Sequence, residues 1–187
     1  MVKNRMKRFF KKYGYYFVGA LLLVAIGITT AYASLGRKSG SGVIDVGTEP
    51  LTFRLPMNNA VVLKEYTEDH IFNSTLNQYR THRAYSITSE DLKVFAVARG
   101  TVTEIGKSFE LGNYIVITHE NGLKSFYASM ADDVLVSANS QVEKGQALGF
   151  AANTAENFSR DGNHLLFQMY KQNELINPAT YLNFSDK

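Results

Sequence analysis

The segment Tyr114-Ile-Val-Ile-Thr-His119-Glu-Asn-Gly122-Leu-Lys-Ser-Phe-Tyr-Ala128 decides the fold, because it contains the clearest hairpin signal in the chain. Two runs rich in aromatic and β-branched residues flank the dipeptide Asn121-Gly122. Both central residues of a tight hairpin turn adopt positive φ, which asparagine and glycine tolerate best. The segment therefore predicts two antiparallel strands joined by a short turn.

Other short apolar runs lie at close spacing on both sides of this hairpin. None of them shows a sustained helical period, so we expect a mainly β domain, an antiparallel sandwich or a small barrel. Residues 51–56 alternate apolar and polar side chains and end at proline, which predicts an edge strand. Residues 66–83 are polar without a period and allow a short helix followed by a loop. The apolar runs are 94–98, 101–105, 134–136, 147–150 and 164–170.

The amino-terminal part of the sequence has the pattern of a membrane anchor. Residues 1–12 carry six basic and no acidic side chains, and residues 13–36 carry no charge at all. About 20 apolar residues span a bilayer as a helix, and basic residues stay on the cytoplasmic side. We therefore predict a cytoplasmic tail at 1–12, a transmembrane helix at 13–34, a flexible Gly/Ser-rich linker at 35–50 and an extracytoplasmic domain at 51–187.

A cleaved signal peptide is the alternative interpretation of the same segment. Ala31-Tyr32-Ala33 matches a small-x-small cleavage pattern and would leave Ser34 as the first residue. The apolar run is longer than the 7–15 residues of a usual signal core, which favours the anchor.

Charge and cysteine content exclude several classes of function for the outer domain. The net charge of +3 arises in the tail, since the rest of the chain has 14 basic and 17 acidic residues and a net charge of −3. A mildly acidic domain without a basic face does not predict nucleic-acid binding. The absence of cysteine excludes disulfides, thiolate nucleophiles and thiolate metal sites.

From about Tyr79 to Leu182 the ordered set of local patterns resembles the LytM/lysostaphin-type metallopeptidase family, with its antiparallel, duplicated hybrid-motif β-domain. The patterns that carry this resemblance are Gly100-Thr-Val, the hairpin from Leu111 to Leu123, Phe126-Tyr-Ala-Ser129, Val142-Glu-Lys-Gly-Gln-Ala-Leu-Gly149, Gly162-Asn-His-Leu-Leu-Phe167 and Asn177-Pro178.

The resemblance implies a zinc site whose ligand positions are largely changed. In active members a His-x-x-x-Asp pair and the second histidine of a His-x-His bind zinc, which activates a water for peptide hydrolysis. Here His82 matches the first ligand, whereas Ser86 and Leu166 stand at the other two ligand positions. His164 matches one assisting histidine and Ser129 replaces the other.

We therefore expect no bound metal or other cofactor and no peptidase activity, because two of three ligand positions are lost. A shifted loop that offers Glu90 or Asp91 as a replacement ligand is the alternative. Gln168 stands where the family often has an acidic residue just after the His-x-His motif. His119, at the start of the hairpin, is predicted to be a hydrogen-bonded structural residue.

Within the family, the basic tail, single span and degenerate domain resemble a sporulation branch. This resemblance implies a forespore-membrane scaffold that binds the ectodomain of a mother-cell membrane protein of the stage III sporulation protein AH type, in a ring or channel between two membranes. Three alternatives stay open: a residual zinc endopeptidase acting on peptidoglycan, a degenerate activator of a cell-wall amidase, and binding of a wall fragment in the groove that would hold the peptide substrate in active members.

Overall fold

A computed structural model describes residues 51–184 of the chain. Within these residues the chain forms short strands connected by loops and three 3-10 segments, Glu120–Gly122, Glu156–Asp161 and Pro178–Thr180. The strands are β1 Val61–Lys64, β2 Thr67–Asn73, β3 Gln78–His82, β4 Tyr85–Thr88, β5 Lys93–Phe95, β6 Gly100–Ser108, β7 Gly112–Thr118, β8 Leu123–Met130, β9 Gln141–Val142, β10 Ala147–Phe150, β11 Leu165–Lys171 and β12 Glu174–Ile176.

One large antiparallel sheet organises the domain. Its strand order is β1-β4-β11-β8-β7-β6-β9, and β12 pairs with the remaining part of β11. Two smaller sheets, β5–β10 and β2–β3, are antiparallel pairs. The prediction of a mainly β, antiparallel domain is therefore confirmed.

The main hydrophobic core joins the large sheet to the β5–β10 pair. Ile115 and Ile117 of β7 and Phe167 of β11 are fully buried, as are Val94 of β5 and Leu148 of β10, and all five belong to one cluster. Alternate residues of a strand point to the same face, so β7 and β11 each supply a row of side chains to this core.

The hairpin predicted around Asn121-Gly122 is present. Strands β7 and β8 pair along Tyr114↔Ala128 to Thr118↔Lys124. Asn121 has φ +58° and Gly122 φ +70°, as a tight turn requires.

The sequence interpretation is wrong for two other segments. Residues 51–56 form no strand, since their backbone bonds go to separate partners: Arg54 N–H donates to Val97 O (2.9 Å) and Phe95 N–H donates to Pro56 O (2.8 Å). Residues 66–83 contain the β2–β3 hairpin instead of a helix and loop. Most residues of both strands are exposed, so the segment lacks the apolar alternation by which strands are recognised.

No helix in residues 51–184 is long and apolar enough to cross a membrane. The predicted tail 1–12, transmembrane helix 13–34 and linker 35–50 lie outside the described residues.

Candidate functional site

Three strands bring the predicted metal positions together. His82 ends β3, Ser86 lies on β4, and Leu166 of β11 is the direct cross-strand partner of Ser86. The Nε2 atom of His82 lies 3.1 Å from the Oγ atom of Ser86. All three side chains are buried. The Ser86 hydroxyl, at the position where the resemblance predicts a carboxylate, therefore serves as a hydrogen-bond partner for the histidine.

His164 lies beside this group and is completely buried. Its Nδ1–H donates to Gly162 O over 2.7 Å, because a carbonyl oxygen can only accept. Its Nε2 atom is buried and has no hydrogen-bond partner. The ring of Phe158, in the 3-10 segment Glu156–Asp161, stands edge-on to His82 (5.6 Å between ring centroids) and to His164 (6.2 Å). His164 Nε2 is therefore shielded from solvent in this arrangement.

Ser129, at the position predicted for the other assisting histidine, is also buried, and its hydroxyl is hydrogen-bonded to a backbone carbonyl. Its Oγ–H donates to Ala152 O over 2.6 Å, and Ala152 N–H donates back to Ser129 O over 2.8 Å. Ala152 forms an isolated bridge with His164, so Ser129 and His164 lie on either side of one residue. The Ser129 backbone has φ +59°, which is uncommon for a residue with a side chain.

Burial and charge keep both histidines of the cluster neutral at pH 7. The pKa of His82 is lowered to about 4, mainly by burial and further by the Lys64 ammonium, while Asp161 opposes the change. The pKa of His164 is lowered by burial, against an opposing effect of its bond to Gly162. Lys64 Nζ and Asp161 Oδ2, which are 97 residues apart in the sequence, form an ion pair at 2.5 Å. Their opposite charges leave little net charge beside the histidines.

This donor set does not fit a zinc ion. A catalytic zinc needs three protein ligands and an open fourth position. Here Leu166 has no donor atom, and the Ser86 hydroxyl is in contact with His82. Residues 51–184 contain no group of three or more His, Cys, Asp or Glu side chains that could hold a metal ion. The unpartnered Nε2 of His164 could supply one lone pair to a metal ion, and a single imidazole ligand does not make a zinc site.

Of the two candidate replacement ligands, Glu90 is exposed and Asp91 is held in its own loop, and Gln168 and His119 also have partners of their own. Asp91 accepts hydrogen bonds from Ser89 Oγ–H (3.0 Å) and Lys93 N–H (3.1 Å) in its own loop. Gln168, at the position of the closing acid, donates from Nε2 to Arg83 O over 3.0 Å. His119 is hydrogen-bonded, as predicted, to Arg99 O and Ser125 Oγ, each at 2.7 Å, and lies apart from the cluster.

A groove of about 290 Å³ opens beside His82. The β2–β3 hairpin forms one wall and residues of β8, β11 and the β6–β7 turn form the floor. Sequence reasoning missed this wall, the Phe158 ring and the Lys64–Asp161 pair. The hairpin lacks apolar alternation, whereas the positions of Phe158 and of the Lys64–Asp161 pair depend on contacts between segments far apart in sequence.

Comparison with known proteins decides the family. Residues 80–178, more than half of the chain, match the model of peptidase family M23. The chain belongs to peptidase family M23. The domain holding the His82 and His164 cluster is therefore an M23 domain, as the LytM/lysostaphin resemblance predicted.

Two relatives of this M23 chain illustrate the range of the family. Stage II sporulation protein Q of Bacillus subtilis is 31% identical over 115 residues, which are 59% of this chain and 38% of that protein. The DD-carboxypeptidase/endopeptidase Mpg of Neisseria meningitidis is 26% identical over 106 residues, 56% of this chain and 24% of that protein. The chain thus spans well under half the length of either relative. The predicted resemblance to the sporulation branch is confirmed.

Solved structures confirm the LytM-type fold. A chain of the SpoIIQ–SpoIIIAH pore-forming complex superposes with a TM-score of 0.61 at 23% identity, covering 71% of this chain and 92% of that one. The catalytic domain of lysostaphin from Staphylococcus simulans gives a TM-score of 0.54 at 20% identity, covering 66% and 92%. At these identities the likeness shows the fold alone, which the M23 domain shares with a peptidase and with a protein of a pore complex.

Proposed function

We propose that this protein is a non-catalytic scaffold of sporulation, anchored in the forespore membrane. Its M23 domain binds the ectodomain of a mother-cell membrane protein similar to stage III sporulation protein AH and contributes to a ring or channel between the two membranes during engulfment. The 31% identity to stage II sporulation protein Q supports this proposal, as does the fold shared with a chain of the SpoIIQ–SpoIIIAH complex.

The observation that carries the non-catalytic part is the state of the histidine and serine cluster. Metal-dependent peptide hydrolysis needs a metal-bound water and assisting groups that reach the substrate. Leu166 supplies no ligand, His164 is fully buried, and the Ser129 hydroxyl bonds to Ala152 O. What remains is a packed cluster that supports the sheet and can bring no group to a peptide bond.

The anchoring part is supported by the sequence pattern alone. Six basic residues in 1–12 followed by the uncharged segment 13–36 favour a single span with the amino terminus in the cytoplasm. The M23 domain then faces the space between the membranes, and the linker 35–50 sets its reach.

The test is complex formation between residues 50–187, which form one compact unit, and the stage III sporulation protein AH ectodomain of the source organism. We would use size-exclusion chromatography with light scattering and measure zinc in the same sample. A stable, zinc-free complex supports the scaffold. One zinc per chain without a complex contradicts it and favours a peptidoglycan endopeptidase, which digestion of cell walls would check.

The endopeptidase alternative has one observation in its favour: membership of a peptidase family together with two adjacent buried histidines. If neither zinc nor a complex is found, activation of a separate cell-wall amidase becomes the leading hypothesis. Mixing the domain with such an enzyme and measuring release of wall peptides would test it.

A further inference from the structure

The groove beside the β2–β3 hairpin has the properties of a docking site for a protein segment. Its volume of about 290 Å³ lies just below the range of about 300–1,000 Å³ for small-molecule pockets, which suits one or two side chains. Apolar side chains line it and stay only partly buried. They are Ile71, Leu111, Phe126, Phe158 and Leu175.

The groove is held in shape by contacts between its hairpin wall and the Glu156–Asp161 segment. Asn73 Nδ2–H donates to Asn157 O (3.1 Å), and Arg160 N–H donates to Thr75 Oγ1 (3.2 Å). The Lys64–Asp161 ion pair adds a third link between this segment and the strands. A partner therefore meets a largely formed site and spends little free energy in ordering it.

One wall of the groove has the character of a strand edge. Five consecutive residues, 80–84, line the groove, so the backbone of this segment borders it and not only alternate side chains. Within the described residues β3 pairs with β2 alone. An extended chain can bond to such an edge while its side chains enter the groove.

The charges around the groove are the feature that selects an occupant. Three cationic side chains line it, and two are already paired: Lys64 with Asp161 and Arg83 with Glu68. The third, Arg80, is exposed and forms no ion pair within residues 51–184, and the same holds for Glu110 across the groove. A positive and a negative group thus flank an apolar floor without neutralising each other.

We propose that this groove receives an extended segment of the partner protein. The segment inserts one aliphatic or aromatic side chain over Phe126 and Phe158, with a carboxylate facing Arg80 and a basic side chain facing Glu110. Complementary charges of this kind fix register and reject wrong partners. This inference rests on the proposed scaffold function and names the part of the domain that carries it.

Charge reversal on the full M23 domain tests the proposal with the stage III sporulation protein AH ectodomain as the probe. Arg80→Glu and Glu110→Lys should each weaken binding about tenfold or more, because each places like charges together. Lys171→Glu makes the same charge change at an exposed residue outside the groove and should stay within about twofold of the unmodified domain. Thermal unfolding of each variant verifies that it is folded.

A cysteine crosslink identifies the occupant directly, since the chain contains no cysteine of its own. Thr81→Cys, exposed at the groove, carries a photoreactive label, and Ala138→Cys on the β8–β9 loop is the control. We expect the label at position 81 to capture a partner segment with an apolar residue between charges of opposite sign.

The possible outcomes separate this proposal from the scaffold function itself. Full affinity in both Arg80→Glu and Glu110→Lys would overturn the groove assignment while leaving the scaffold intact. Displacement of the partner-derived crosslink by soluble peptidoglycan fragments would also overturn it, in favour of a wall ligand. Failure of the unmodified domain to bind the ectodomain would overturn both.

Discussion

His82, predicted to match the family's first zinc ligand, is stabilised in this domain by packing and a hydrogen bond. Its imidazole is buried, its Nε2 contacts the Ser86 hydroxyl, and Lys64 lies near enough to disfavour a second positive charge. Burial of a histidine costs least when the ring is neutral. The His82 ring is thus part of the packed interior, and the Phe158 ring stands edge-on to it.

The lowered pKa of His82 predicts a loss of stability in mild acid. The unfolded state takes up a proton near pH 6.5 and the folded state only near pH 4, so stability is complete above pH 6.5 and falls as the pH drops toward 4. His82 should contribute a loss of about 2 kcal/mol between pH 7 and pH 5. Urea unfolding at several pH values measures it.

Two histidine variants isolate this effect. His82→Gln should reduce the pH dependence between pH 6.5 and 4 without abolishing it, because burial also lowers the pKa of His164 and of His119. His70→Gln, which replaces an exposed histidine on β2, should follow the unmodified protein. Equal slopes in His82→Gln and the unmodified protein would show that His82 is not the group responsible.

Two glycines with similar backbone angles have different neighbours. Gly122, in the β7–β8 turn, has φ +70°, and a Cβ there would make ordinary van der Waals contact with Gln172, at 3.4 Å from its side chain and 3.7 Å from its backbone nitrogen. Gly112, at the start of β7, has φ +72°, but a Cβ would lie 2.6 Å from the backbone of Thr154. The first position needs glycine for its angle, and the second also needs it for space.

Alanine substitution separates these two requirements. Gly122→Ala should cost about 1 kcal/mol of unfolding free energy, from the left-handed backbone alone. Gly112→Ala should cost clearly more, because the Thr154 backbone must move. Denaturant unfolding of both variants measures the difference, and equal losses would contradict the close approach.

At the scale of elements, β3, β4 and β11 place the predicted ligand positions 82, 86 and 166 together, so supplying metal-binding side chains there should create a zinc site. In Ser86→Asp/Leu166→His, three ligands become available. Without zinc the buried carboxylate should lower the melting temperature, and zinc should restore it. Metal analysis should find about one zinc per chain in the double variant and none with Leu166→His alone. No zinc in the double variant would mean that the three strands lie differently.

The sequence predicts those elements whose residues form a recognisable local pattern and misses those that depend on tertiary contacts or lack apolar alternation. Asn121-Gly122 and the flanking apolar runs carry the β7–β8 hairpin locally, so it was predicted correctly. The β2–β3 hairpin has polar residues on both faces, so it shows no apolar alternation from which strands could be predicted. Its turn contains Asn77 at φ +54° and a hydrogen bond from Leu76 N–H to Asn73 Oδ1. The positions of the site followed from the family motifs, whereas Phe158 and the Lys64–Asp161 pair depend on tertiary contacts alone.

For the whole molecule, the M23 domain alone does not explain a scaffold that works between two membranes, because a scaffold needs a fixed end. The sequence pattern of residues 1–36 supplies a candidate: positive charge before an uncharged segment long enough to span a bilayer. Gly/Ser-rich chains of about 15 residues have a mean span of roughly 20 Å, which is the reach that the linker predicted at 35–50 would give to the domain.

Retention of the amino-terminal segment is the prediction that decides between anchor and signal peptide. We expect the full-length chain to stay with membranes after carbonate washing and to keep its basic tail, because a span is not released by alkaline salt and the apolar run exceeds a signal core. Immunoblotting of the fractions with amino-terminal sequencing measures both. Ala33→Leu removes the small-x-small pattern and should change neither result. A mature chain beginning at Ser34, lost in the Ala33→Leu variant, would show that the domain is released, and docking between two membranes would then require a different tether.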